Sequence, residues 1–177
     1  MTRFPRAGLL SRVEGGAFVA STALVTGDVT LGEEASVWFH CVVRGDDAPL
    51  SIGPRTNVQD LTMVHADPGV PNVIGAEVTV GHRCVLHGAA VGDRCLIGMG
   101  AILLAGSRIG AESIVGAGAL VKEGILIPPR SLVVGLPARV VRAVSDEEVL
   151  MIRRSAQGYV DQVRLYLSSG SEQGPPG

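Results

Sequence analysis

The chain has 177 residues, enough for one domain with its own core, and 46% of them are hydrophobic although only 3% are aromatic. With 15 Lys and Arg against 17 Asp and Glu there is no basic stripe for nucleic acid. No apolar run is long enough to span a membrane, and three cysteines without C-x-x-C spacing indicate neither a disulfide framework nor a thiolate zinc site.

The opening residues, Met1 to Arg6, lack the apolar core of a secretory leader, which predicts a cytoplasmic protein. A six-residue period follows. Val19, Val25, Leu31, Val37 and Val43 are each six apart; Ile52, Val58, Val64 and Ile74, Val80, Leu86 form two shorter runs; Val91, Ile97, Leu103, Ile109, Val115, Val121, Ile127 and Val133 form the longest. Glycine often follows the aliphatic, as in Ile52-Gly53 and Ile97-Gly98, and a small side chain often stands two residues before it, as at Ala35, Thr62 and Ser113. Cys41, Cys84 and Cys95 all occupy that small position, so they read as compact core fillers. A period of six is neither helical nor a simple strand alternation. It fits a short strand plus a turn, with three such units closing one triangular coil and stacked coils about 4.8 Å apart. Glycine is expected to supply the turn conformations. The predicted fold is therefore an all-β solenoid, a parallel β-helix of hexapeptide repeats.

The period breaks between Val43 and Ile52, between Val64 and Ile74, and between Leu86 and Val91. Three of the four histidines fall in this stretch. His65 follows Val64 and His87 follows Leu86, three repeat units later, so the two stack on adjacent coils. Two imidazoles rooted about 4.8 Å apart can converge on one ion with metal–nitrogen distances of about 2.0–2.1 Å. His82 belongs to a different corner of the coil and reaches such an ion only from a neighbouring subunit. Threefold symmetry makes that sharing natural. Three protein ligands leave a fourth position open, as in catalytic zinc sites. His40 lies out of this register and reads as structural.

At the C-terminal end Val140 to Ala143 close the repeats, and Ser145-Asp-Glu-Glu148 is a capping box that starts a helix. Val149, Leu150, Ile152, Val160, Val163 and Leu167 give helical spacing. The expected organisation is a β-helix over 1–144, a helix over 145–168 packed on its outside, and a flexible tail over 169–177 rich in Gly, Pro and Ser.

Several stretches, in order, resemble the γ-class carbonic anhydrase family: Ser36-Val-Trp38, Val42-Val-Arg-Gly-Asp46, Thr56-Asn-Val-Gln-Asp60 with His65, Val78-Thr-Val-Gly-His82 with Leu86-His-Gly88, Leu96-Ile-Gly-Met-Gly100, Ser113 to Gly118, Ile127 to Ser131 and Gly135 to Ala138. The resemblance covers roughly residues 18–165. It implies a left-handed β-helix and a homotrimer with metals at the subunit interfaces. It also implies His65, His82 and His87 as ligands, and Arg44 and Asp46 pairing across the interface. It further implies Gln59, with Asn57, near the metal to orient bound solvent, Asp60 anchoring the loop or interface, and Tyr159 approaching the active site from the helix. A packing role for Tyr159 stands beside that one. The segment from His65 to Val73 is short and holds one acid, Asp67, and Asp47 stands where founding members carry glutamate. The chain thus resembles the short-loop subgroup, in which activity is often weak.

The implied reaction is reversible hydration of CO₂ to bicarbonate by hydroxide generated at the metal, with Asp47, Asp67 or Tyr159 available as proton relays. Zinc suits three histidines; iron(II) and cobalt(II) also accept imidazole. Three other readings remain: a metal-dependent acyl-CoA thioesterase, a hexapeptide acyltransferase using a histidine as base without metal, and a non-catalytic trimeric scaffold.

Overall fold

The computed structural model describes residues 6–168. They form a left-handed parallel β-helix of about six coils with one helix, α1 (Asp146–Ser168), along its side. The expected tail, 169–177, and the N-terminal residues 1–5 lie outside the described residues.

Each coil has three faces. Val37, Val58, Val80, Ile97, Val115 and Val133 stack in register on the first. Val43, Val64, Leu86, Leu103 and Val121 stack on the second. Ile52, Ile74, Val91, Ile109 and Ile127 stack on the third. These columns, with Ala, Cys, Thr and Ser at the small positions, fill the prism. Branched aliphatics suit the pleated, close-packed interior, and burying each stabilises by about 1.5–3 kcal/mol.

Antiparallel strands close both ends, a departure from the uniform parallel coil. Leu10–Arg12 pairs with Phe18–Ala20, and Ser131–Gly135 with Ala138–Ala143. They cover the terminal strands of the first face, while Leu120–Val121 and Leu126–Ile127 remain edge strands of the other sheet.

The glycines serve two tasks: Gly88, Gly100, Gly106, Gly118 and Gly124 supply the expected left-handed turns, with φ between 59° and 70°. Those after the aliphatics are not in the left-handed region; they are needed because adjacent coils touch there. A Cβ on Gly53 would lie 2.5 Å from the carbonyl carbon of Gly75. The left-handed positions at that corner belong instead to Glu34, Arg55, Glu77, Arg94, Glu112 and Arg130, with φ between 53° and 58°. These residues alternate in charge. Arg55 pairs with Glu34 and Glu77, and Glu112 with Arg94 and Arg130. Mutual pairing offsets part of the strain of holding side chains at positive φ.

The outward residues distinguish the faces. On the first, Phe18, Leu96, Ile114 and Leu132 pack under α1 through Val149, Ile152, Tyr159 and Val163. On the third, the outward column reads Thr30, Ser51, Val73, Ala90, Arg108, Leu126. On the second it is Leu24, Val42, Met63, Val85, Ile102 and Leu120, apolar at every coil. No element among the described residues covers that second column; Leu24 is 54% exposed and Met63 37%. No described helix is long and apolar enough to cross a membrane.

The capping box forms as a reciprocal pair: the Ser145 N–H donates to Glu148 Oε2 and the Glu148 N–H to Ser145 Oγ. Arg142 adds a bidentate pair to Glu148. The Arg142 hydrogen bonds and then the Ser145 N–H lower the Glu148 carboxyl from 4.5 to about 2.

Three predictions follow from this packing. Ile97→Ala, at a fully buried position, lowers unfolding free energy in urea by about 2–5 kcal/mol. Burial pushes the thiols of Cys41 and Cys84 up to about 11 and Cys95 up to about 12, so a thiol reagent labels all three only as fast as the protein unfolds. Because the Glu148 pKa is depressed in the folded state, its contribution is present above pH 4.5 and disappears as pH falls toward 2. The acid shift of the melting temperature is smaller in Glu148→Gln.

Candidate metal centre

The prism separates the candidate residues into two groups at different corners. The strands Met63–His65 and Val85–His87 end together at the corner between the second and third faces, with His65 and His87 directly paired in register. Their rings meet edge to face, centroids 5.2 Å apart, and His65 Nδ1 lies 3.3 Å from His87 Nε2. Two ligands 2.0–2.1 Å from a tetrahedral ion lie about 3.3 Å apart, so this spacing fits a shared ion.

The other nitrogen of each ring faces acid. His65 Nε2 is 3.3 Å from Asp46 Oδ1 and 3.1 Å from Asp47 Oδ2. It is a buried atom, yet neither approach has hydrogen-bond geometry. His87 Nδ1 is 3.6 Å from Asp67 Oδ2. Asp46, Asp47 and His65 also form a cluster whose ligand atoms all lie within 4.8 Å of one another. Asp46 is already paired with Arg44. Partial desolvation opposes the effect, but its own backbone N–H, the Arg44 guanidinium and the His65 ring hold the Asp46 carboxyl below the usual carboxylate range.

His82 lies at the corner between the first and second faces, after the strand Thr79–Val80. Its Nδ1 is 2.8 Å from Asp60 Oδ2. Each of the three histidines therefore has one nitrogen facing a carboxylate, at separations from 2.8 to 3.6 Å.

One expected placement changes within the chain. Asn57 and Gln59 do not sit beside His65 and His87. They lie on the first face and at its corner, with His82 and Asp60, because the Asn57–Val58 strand belongs to the first sheet. There Gln59 Nε2 donates to Asn57 Oδ1 at 3.1 Å, and Asn57 Nδ2 to Thr79 Oγ1 at 3.0 Å, so a buried chain of amides holds Gln59. Within the chain Arg44 pairs with Asp46.

Tyr159 stacks edge-on against Trp38 with centroids 5.4 Å apart. It lines a cleft of about 500 Å³ together with Trp38, Phe39, Asp60, Arg154 and Tyr166. Burial, and then the Asp60 charge, raise its phenol above the ordinary value. Tyr159 thus joins the His82 corner through Asp60 while also packing the helix onto the prism.

Sequence reasoning overlooked Asn72. It is 1% exposed, and its Nδ2 donates to the carbonyl oxygens of His65 at 3.1 Å and Leu86 at 2.9 Å. The available signal was an amide two residues before Ile74, in the column otherwise rich in Ala, Cys, Thr and Ser.

Comparison with known proteins agrees with this architecture. The family described as bacterial transferase hexapeptide (six repeats) matches residues 88–123. A Geobacillus kaustophilus protein named carbonic anhydrase is 44% identical over 92% of this chain and 90% of its own. The mitochondrial gamma carbonic anhydrase 2 of Arabidopsis thaliana is 40% identical over 90% of this chain, which spans 60% of that longer protein. A solved Bacillus cereus structure, described as a candidate acetyltransferase, superposes with a TM-score of 0.79 at 42% identity, covering 84% of this chain and 90% of that one.

Proposed function

This chain belongs to the γ-class carbonic anhydrase family, and from that premise we propose that it is a metal-dependent carbonic anhydrase of modest activity, converting CO₂ and water to bicarbonate and a proton. His65 and His87 of one subunit and His82 of the next hold the ion. The observation that carries this reading is the 3.3 Å separation of His65 Nδ1 and His87 Nε2, with carboxylates against the remaining nitrogen of each histidine.

A homotrimer is supported by the apolar outward column of the second face. Contiguous exposed apolar surface of this kind marks an association site. His82 lies at one edge of that face, and His65 and His87 lie at the other. A second copy packed on the face brings one edge to its opposite, so each interface completes one centre. Arg44 and Asp46, beside His65, then stand at the interface, where a pre-paired guanidinium and carboxylate specify orientation.

A divalent cation held there acidifies bound water toward neutral pH. Zinc suits the donor set, and iron(II) or cobalt(II) are also accepted. The protein's own part is orientation and proton removal. Gln59, held by Asn57, presents its amide beside the His82 corner and orients the attacking solvent. Asp60 fixes the His82 ring. Asp47 and Asp67, both at the surface near the paired histidines, carry the released proton to solvent, and Tyr159 closes the far side of the pocket. With no glutamate in the short His65–Val73 segment, proton export is the step that limits turnover.

A second reading, acyl transfer from a CoA thioester with histidine as base, draws support from the Bacillus cereus neighbour described as a candidate acetyltransferase. Turnover of acyl-CoA that survives metal removal, with no CO₂ hydration, would select it.

Mixed subunits supply the decisive test. His65→Ala and His82→Ala homotrimers each lose bound metal and fall by about 100-fold or more in stopped-flow CO₂ hydration, while sedimenting as trimers. Refolding the two variants together restores one complete centre per mixed trimer, and with it metal and activity. Absence of restoration, or full metal content in His82→Ala, overturns the shared centre.

A further inference from the structure

We infer that Asn72 is a positioning residue that sets the spacing of His65 and His87. The inference rests on the metal-centre reading for its consequence, while the clamp itself stands on hydrogen bonds alone.

Asn72 returns the chain to the prism after the segment that interrupts the repeat between Val64 and Ile74. It opens the strand Asn72–Ile74 on the third face and points into the gap between the two histidine-bearing coils, where both Nδ2 hydrogens are used. One goes to the carbonyl of His65 itself, at 3.1 Å, the other to the carbonyl of Leu86, the residue before His87, at 2.9 Å. The His65 carbonyl also accepts the N–H of Gly88, the residue after His87, at 2.8 Å. His87 is therefore bracketed on both sides by bonds that lead to His65 or to Asn72. One amide group fixes the relative height of two backbones one coil apart, at the point where both side chains leave the prism.

An ordinary repeat does not need this device. Thr56 and Thr62 stand at the same small position of their units, and each hydroxyl reaches one carbonyl of the next coil, Gly75 at 2.7 Å and Gly81 at 3.0 Å. Each hydroxyl also accepts one backbone N–H, from Val78 at 2.9 Å and from Cys84 at 3.2 Å, but donates only once. An asparagine NH₂ offers two donors from one atom where a threonine hydroxyl offers one, and here both go to carbonyls beside candidate ligands. The interruption of the repeat thus has a purpose beyond length: it carries Asp67 past His87 and delivers Asn72 into the seam. The Oδ1 atom of Asn72 is buried without a partner. Tolerating that unmet acceptor indicates that the donor end is what the position is retained for.

The test compares Asn72→Thr, which restores the residue type the repeat uses elsewhere, with Asn72→Ala. Folding of both is monitored by melting temperature and sedimentation. In metal-free protein, the imidazole resonances of His65 and His87 move in Asn72→Thr, and the Gly88 amide exchanges faster. In cobalt-loaded protein, affinity measured against a chelator falls about tenfold and the visible absorption spectrum changes. Unchanged histidine resonances and unchanged Gly88 exchange in folded Asn72→Thr overturn the positioning role. Failure of the wild-type protein to bind cobalt or zinc counts against the metal-centre reading instead, and leaves the metal-free resonances to decide Asn72.

Discussion

Everything distinctive about this molecule depends on the vertical register between coils. Parallel strands one coil apart sit at a fixed separation, so whatever one coil places at a position is met by whatever the next places there. In the interior this yields unbroken aliphatic columns. At the corners it forces glycine where backbones touch. At the end of the second face it sets His87 over His65. The same constraint that packs valine on valine brings two imidazoles together without any long-range fold to arrange them.

The solenoid is also unusually rigid in its division of labour. One face is sealed by α1, one is mixed in character, and one remains apolar and uncovered. The candidate ligands are confined to the two edges of the uncovered face. A chain built this way holds the paired histidines at one corner of that face and His82 at another. Carboxylates face the histidines at both corners, Asp46, Asp47 and Asp67 at one and Asp60 at the other.

The departures from regularity are where function concentrates. The interruption after Val43 supplies Arg44, Asp46 and Asp47, and the one after Val64 supplies Asp67 and Asn72. A perfect hexapeptide array would pack as well and would place none of these groups near the histidines. The Glu–Arg ladder at the opposite corner, by contrast, serves the turn geometry and ties α1 to the prism through Arg55–Gln157, Glu34–Arg164 and Arg130–Asp146.

The period of six determined the β-helix, its interior columns and the pairing of residues 65 and 87, because one-dimensional stacking turns sequence separation directly into height. The same arithmetic assigned His82 to another corner. Side-chain direction and hydrogen-bond partners were not encoded in that count. That Asn57 and Gln59 join His82 rather than His65, that the glycines after the aliphatics serve close approach while Glu and Arg take the positive φ at that one corner, and that Asn72 ties two coils together were decided only by the folded chain. Each depends on which face a strand occupies and on which atoms a corner brings within about 3 Å, quantities that a spacing rule along the chain does not contain.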